Sequence, residues 1–508
     1  MTRERRPRRE RRVADAIKQL PWQRLVNRFK PMEILSADEL EAIHRASLRI
    51  LEELGLEVWS EQALAIFRRA GASVDASNSR VRLDRGLIEA AIKTVPREFT
   101  LYPRNRERRV TFGGQHLVFG SVGGPPHCSD LDGGRRPGTQ KDFRNLVRLI
   151  QSLNVVHIVS GSPVAPIDLN AETRHLDMYY DFLTLTDRVW HATAIGSERI
   201  EDAINLLSIA RGVSREELAV EPSMLCVINT NSPLRLDGQM AEGLIAAAAA
   251  GQAVILTPFT LAGAMAPTSL AGALAQQNAE ALAGIALTQL VRPGAPAMYG
   301  GFTSNVDMRS GAPAFGTPEY TKGAMATGQL TRRYGFPYRS SNVNASNAVD
   351  AQAAYESQMA IWGSLLGGVN LLHHGVGWLE GGLVASFEKM IVDAEMLQMI
   401  AKTLEPIVVD EDSLALSAIK EVGPGGHFFG AVHTLAHYET AFYQPLLSDW
   451  RNFESWREAG SKTATERANT LFKALLESYE KPPIDPAIEE AMGAYVRRRK
   501  EEIGQRAA

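Results

Sequence analysis

Between Ser341 and Gly382 the chain gathers polar and aromatic residues at a spacing suited to holding a small charged molecule. The stretch Ser341-Asn-Val-Asn-Ala-Ser-Asn-Ala-Val349 is polar and turn-rich and runs into Asp350, a residue type that caps helices. A helix starting there offers free amides and the positive end of its dipole, which favours an anionic group such as a carboxylate. Asn344, Asn347 and Asp350 are the residues that would shape such a loop. In the run Val369 to His374 alternate side chains fall on opposite faces, and the parity of Asn370 and Leu372 suits a lumen, which favours His374 over His373 as the pocket residue. The next turn, Gly375 to Gly382, holds Trp378 and Glu380 between glycines, a plausible binding loop. Trp378, Tyr355, Tyr299, Phe302, Phe259 and Trp190 are the aromatics from which a cation box could be drawn. Glu380 and Glu356 could balance an ammonium or make structural hydrogen bonds. His374 and Glu380 are thus catalytic candidates, and Asn344, Asp350, Tyr355, Glu356, Trp378, Tyr299 and Phe302 the substrate-binding ones.

His433 and His437 share a helix face, with His427 just upstream, a spacing that could bind zinc. The pattern lacks the Glu of HExxH and shows no persuasive third ligand, so the expectation is no metal and a docking role for these histidines. The glycine runs at Gly120–Gly124 and Gly423–Gly426 match neither a P-loop nor a dinucleotide fingerprint.

The elements that must position these residues repeat eight times from Leu117 to His374: an apolar or β-branched run, a break, then an amphipathic stretch. The runs are Leu117–Val122, Val155–Ser160, Val189–Ile195, Met224–Asn229, Ala253–Pro258, Ala297–Phe302, Tyr338–Val343 and Val369–His374. The intervening helices are expected at Thr139–Leu153, Glu172–Thr186, Ser197–Ala210, Arg235–Ala250, Ser269–Leu290, Thr317–Tyr334, Asp350–Leu366 and, after the last run, Ser386–Leu404. This predicts an α/β fold, a (β/α)8 TIM barrel, whose chemistry sits at the C-terminal ends of the strands. Helical and mixed extensions flank it: a disordered basic arm over 1–30, an N-terminal extension over 31–115, the barrel over 116–405 and a C-terminal helical section over 406–508.

With 22% charged residues and a net charge of -3, the 508-residue chain lacks the positive field of a nucleic-acid binder. The seven arginines of the first twelve residues are the exception, and they read as a solvated tail. Two cysteines and no long apolar run point to a cytoplasmic protein without a membrane partner.

Three segments carry a resemblance: Asp350-Ala-Gln-Ala-Ala-Tyr-Glu356; Gly377-Trp-Leu-Glu-Gly-Gly-Leu383 with Ser386-Phe-Glu-Lys389; and Gly423-Pro-Gly-Gly-His-Phe428 with His433 and His437. Over Ile34 to about Ala468 the chain resembles the trimethylamine methyltransferase (MttB) superfamily. The resemblance implies a barrel enzyme moving a methyl group from a methylated amine to the cobalt of a corrinoid on a separate protein, with no cofactor bound tightly by this chain. No Asp-x-His-x-x-Gly corrinoid motif is evident. The archaeal members carry pyrrolysine in the loop before the Asp-Ala-Gln helix; counting back from Asp350 places it at Asn347, where no such residue stands, and the resemblance so makes Asn347 a third catalytic candidate. The chain is therefore similar to glycine betaine methyltransferases, whose quaternary nitrogen needs no activation. A trimethylamine-specific enzyme, a zinc-dependent hydrolase or lyase using His427, His433 and His437, and a non-catalytic methylamine-binding barrel are the alternatives, and a homo-oligomer stays open.

Overall fold

In the computed structural model, which describes residues 17–507, eight parallel strands close into a barrel. They are β1 (His116–Ser121), β2 (Ile158–Val159), β3 (Val189–His191), β4 (Met224–Ile228), β5 (Ala253–Leu256), β6 (Ala297–Gly300), β7 (Tyr338–Ser341) and β8 (Leu371–Val376). Each pairs with the next, and β8 pairs back onto β1 through Leu371 and Val118, and Leu372 and Phe119. All eight expected strands are present, most of them shorter than the apolar runs.

The crossover helices are α1 (Gln140–Ser152), α2 (Arg174–Leu185), α3 (Ser197–Arg211), α4 (Gly238–Ala249), α5 (Leu270–Val291), α6 (Pro318–Tyr334), α7 (Ala351–Leu366) and α8 (Phe387–Thr403). Local chemistry sets their ends: Thr139 and Asp142 form a capping box at α1, Thr317 caps α6 just before Pro318, and Ser386 caps α8. Gly212 and Gly335 end α3 and α6 in the left-handed conformation that glycine adopts without strain. The helix expected from Arg235 begins instead at Gly238. Arg235–Leu236 leaves the barrel layer to pair with Leu56–Val58 in a small N-terminal sheet, and Asp237 then caps the helix.

The lumen packs at the N-terminal ends of the strands. Val118, Ile158, Val189, Leu225, Ala253, Met298 and Leu371 meet Phe99, Leu101, Val110 and Phe112 there. The last four lie on a hairpin, Glu98–Leu101 with Val110–Gly113, that plugs this end. The lumen is thus filled at this end and open at the C-terminal ends of the strands.

This packing corrects the parity expected for β8. Leu371 lies in the lumen cluster, so His373, two residues on, shares its inward face. Asn370 instead staples the closed end, donating to the Gly114 and His116 carbonyls and accepting from Tyr338 N. The register between β8 and β1 shifts between Leu372 and Val376, and His374 sits in that irregularity with φ 55°.

The basic arm expected over 1–30 is also corrected, for residues 17–30. Leu25–Val26 pairs antiparallel with β1, Leu25 is buried, and Gln19 and Leu20 bond to Ser152 and Gln398. Residues 1–16, with most of its arginines, lie outside the described residues. At the other end, Ala464–Glu477 packs on α8 through Phe472 and Phe387, while Tyr495 and Arg499 of the last helix bond to Asp202 on α3. The helix that carries His433 and His437 spans Val432–His437.

Candidate active site

At the C-terminal mouth of the barrel lies a cavity of about 490 Å³. Almost every strand contributes: Ser160 follows β2, His191 ends β3, Asn229 follows β4, Thr257 and Phe259 follow β5, Phe302 follows β6, Arg339 stands on β7, and His373 and His374 stand on β8. Trp378 and the glycines of the β8 loop complete the wall.

The cavity is basic on one side. Arg339 is 2% exposed, and its Nε and Nη1 have no hydrogen-bond partner among the described residues. Its guanidinium lies over the Phe302 ring, 5.2 Å from the centroid. Burial pulls its pKa down to about 10, which leaves it charged at neutral pH. A buried cation without a partner is costly unless something anionic arrives. Arg174 and Arg199 stand on the lining as well, and no Asp or Glu is among the described lining residues.

Beside Arg339 sit three histidines. The His373 and His374 rings are 4.1 Å apart, and His191 is 6.4 Å from His373. Burial holds His373 and His374 well below the usual imidazole range, and His191 at about 4. His191 Nε2 accepts from Val227 N at 3.0 Å, so its proton is on Nδ1, 3.3 Å from the Ser160 carbonyl. His373 Nδ1, His374 Nδ1, Thr257 Oγ1, Ser160 Oγ and Trp378 Nε1 are buried without partners among the described residues. So many unmet polar atoms around one cavity mark a place built for a polar guest.

The other side is aromatic. Phe302 stacks on Phe259 at 5.1 Å and stands 6.3 Å from Trp378, and Trp378 is 4.1 Å from His374. The β7 and β8 loops are joined beneath this wall: Asn344 Nδ2 donates to the Trp378 carbonyl at 2.8 Å, Asn342 Nδ2 to Gly375 O at 3.0 Å, and Gly381 N to Asn344 O at 3.1 Å. Below them Lys389 and Asp393 form a fully buried ion pair, with Asp393 accepting from Gly377 N and Lys389 donating to Ser357 Oγ.

Four of the residues singled out by sequence line the cavity: His374, Trp378, Phe302 and Phe259. Asn344 and Glu356 support it from behind, Glu356 accepting from Ala345 N and Ser346 N. The others are elsewhere. Tyr299 points outward from β6, where it bonds to Asn278 and Gln277 of α5. Asn347 is exposed, and Tyr355 is exposed on the outer face of α7. Asp350 caps α7 with its own carboxylate, so that helix end is satisfied and turned to solvent rather than open to an anion. Glu380 is tied to Arg135 at 2.9 Å. Arg339, His373, His191 and Thr257 were missed. A signal existed for Arg339: a charge within a barrel strand cannot face the apolar helix layer and so must face the lumen.

Taken together, the fold is a (β/α)8 barrel with one open, functional end, and its residues match those of a group of enzymes along nearly the whole length. The chain belongs to the trimethylamine methyltransferase (MTTB) family, whose model matches residues 1–504. It is 38% identical over 473 residues to glycine betaine methyltransferase of Desulfitobacterium hafniense strain Y51, covering 93% of this chain and 98% of that one. Trimethylamine methyltransferase MttB of D. hafniense strain DSM 10664 / DCB-2 is 31% identical, covering 92% and 94%. The crystal structure of the Methanosarcina barkeri monomethylamine methyltransferase (MtmB) superposes with a TM-score of 0.50 at 12% identity, covering 94% of this chain and 93% of that one, a likeness of fold. The protein is a methyltransferase. Among the described residues no helix is long and apolar enough to cross a membrane.

Proposed function

We propose that this enzyme takes a methyl group from a quaternary amine that also carries a carboxylate, a betaine, and delivers it to the cobalt of a corrinoid held by a separate protein. The observation that supports this most is Arg339, a buried and unpaired guanidinium in a cavity with an aromatic wall and no acidic residue among those described. A bare ammonium would meet only positive charge and neutral rings there. A zwitterion places its anion at Arg339 and its cation on Phe302 and Trp378.

The division of labour follows from the groups present. The aromatic wall strips water from the ammonium and holds it by cation–π attraction. Arg339, with neutral histidines as additional donors, fixes the carboxylate and so the direction of the carbon–nitrogen bond to be broken. The departing tertiary amine leaves with the bond's electron pair and needs no proton, which suits a site whose histidines are held neutral. A corrinoid supplies, when docked, a two-electron cobalt(I) nucleophile. Gly123, Gly124, Gly161, Gly381 and Gly382 are among the lining residues, and a Cβ on Gly124 would meet nothing within 4 Å, which leaves that part of the wall open to a docked group.

Methyl transfer to added cob(I)alamin, followed by its absorbance, tests this with trimethylamine, glycine betaine, carnitine and proline betaine as donors. Transfer from one or more of the betaines is expected. Transfer from trimethylamine alone would overturn the proposal.

A further inference from the structure

The geometry points to a divalent transition-metal site on the C-terminal arm, formed by Asp412, His433 and His437, that staples the arm together. The arm, residues 405–446, lies outside the barrel-mouth cavity and contributes none of its lining. It carries three short helices, α9 (Glu411–Leu414), α10 (Leu416–Val422) and α11 (Val432–His437).

Two independent observations converge. The first is a donor set. Asp412 on α9 and His433 and His437 on α11 place one ligand atom each within 4.8 Å of one another. His437 Nε2 is 3.2 Å from Asp412 Oδ2, and His433 Nε2 is 3.1 Å from the Asp412 carbonyl oxygen. The imidazole centroids are 4.5 Å apart, as the one-turn spacing of the pair requires. Metal bonds of about 2.0–2.2 Å in a tetrahedron place donors roughly 3.4 Å apart, within reach of small side-chain rotations here. Two imidazoles and a carboxylate suit Zn²⁺ or Co²⁺ and leave a fourth position to water. His427 is not part of the cluster; the third ligand is Asp412, 21 residues before His433.

The second is a missing core. Across 405–446 only Ala418 and Ala431 are buried, while Ile407, Val409, Phe429 and Phe442 are mostly exposed. Two alanines cannot offset the entropy of ordering some forty residues, and segments that cannot build a core commonly rely on a cross-link or a metal. A cation joining α9 to α11 closes the loop between them, which contains α10 and the Gly423–Gly426 turn. The metal takes no part in methyl transfer, because none of its ligands reaches the cavity.

The full-length protein, stripped with a chelator and dialysed, is titrated with Co²⁺ and then Zn²⁺. One equivalent of Co²⁺ is expected to give the intense visible bands of a tetrahedral site, and Zn²⁺ to erase them. His433→Gln and His437→Gln should each lose the bands, with methyl transfer retained as proof of folding. Tryptic cleavage after Lys420 should slow with Zn²⁺ in the parent and not in the variants. Absence of stoichiometric binding, equal binding by the variants, or binding that leaves cleavage at Lys420 unchanged would each overturn the site or its stapling role.

Discussion

The guanidinium carbon of Arg339 stands over Phe302, 5.2 Å from its ring centroid, while Nε and Nη1 find no partner among the described residues. An Arg so placed is pre-organised for a planar carboxylate.

Arg339→Met should therefore lower kcat/KM for glycine betaine by about two to three orders of magnitude, the range for removing one partner of a buried charged pair. Arg339→Lys should recover only part of it, because an ammonium cannot reproduce the two-pronged contact. Steady-state transfer to cob(I)alamin measures both, and an unaltered kcat/KM in Arg339→Met would remove Arg339 from the site.

Trp378→Ala opens the aromatic wall and strips the His374 ring of its neighbour at 4.1 Å. KM for the donor should rise about tenfold, the order of one cation–π contact in a partly desolvated site. Asn347→Ala, at an exposed position away from the cavity, should leave the same constants within about twofold. Equal losses in the two variants would show that the cation lies elsewhere.

The buried Lys389–Asp393 pair supports the Gly377 turn from which Trp378 projects. Lys389→Met alone strands a buried carboxylate and should cost about 3–5 kcal/mol of stability. The double variant Lys389→Met, Asp393→Leu should recover much of that, since no lone charge remains. Urea denaturation distinguishes the two, and an equal or greater loss in the double variant would contradict this role.

Acid should destabilise the protein well above the carboxylate range. Burial holds His157 and His191 at about 4, and His373 and His374 well below 6.5. The unfolded chain protonates these rings near about 6.5 while the folded one does not, so stability is complete above that pH and falls as the pH drops below it. The urea midpoint should decline between about pH 7 and about pH 5, before carboxylates titrate. A midpoint constant over that range would refute the burial of neutral imidazoles.

Much of the architecture was legible because a barrel strand buried on both faces is a short apolar run, and eight such runs alternate with amphipathic stretches. The site was harder. His374, Trp378, Phe302 and Phe259 were found since they fall at or just after strand ends, but the inward parity of β8 was misjudged: polar Asn370 serves the closed end rather than the lumen, and His374 reaches the cavity at an irregularity where its φ is positive. Asp350 shows a different limit. Its capping role was readable, whereas the outward, exposed position of that helix end depends on how the β7 loop folds back over Glu356. Asp412 was invisible as a ligand partner, because only the folded arm brings it to His433 and His437.

Equilibrium binding of three isosteric molecules to the unaltered protein tests the betaine assignment most directly: glycine betaine, choline, which lacks the carboxylate, and the tert-butyl carboxylate analogue, which lacks the cation. Glycine betaine should bind tightest, the carboxylate analogue more weakly, and choline least of all, since it brings a positive charge to Arg339 with nothing to neutralise it. Choline binding as tightly as glycine betaine would contradict the central claim that this cavity is built to receive an anion.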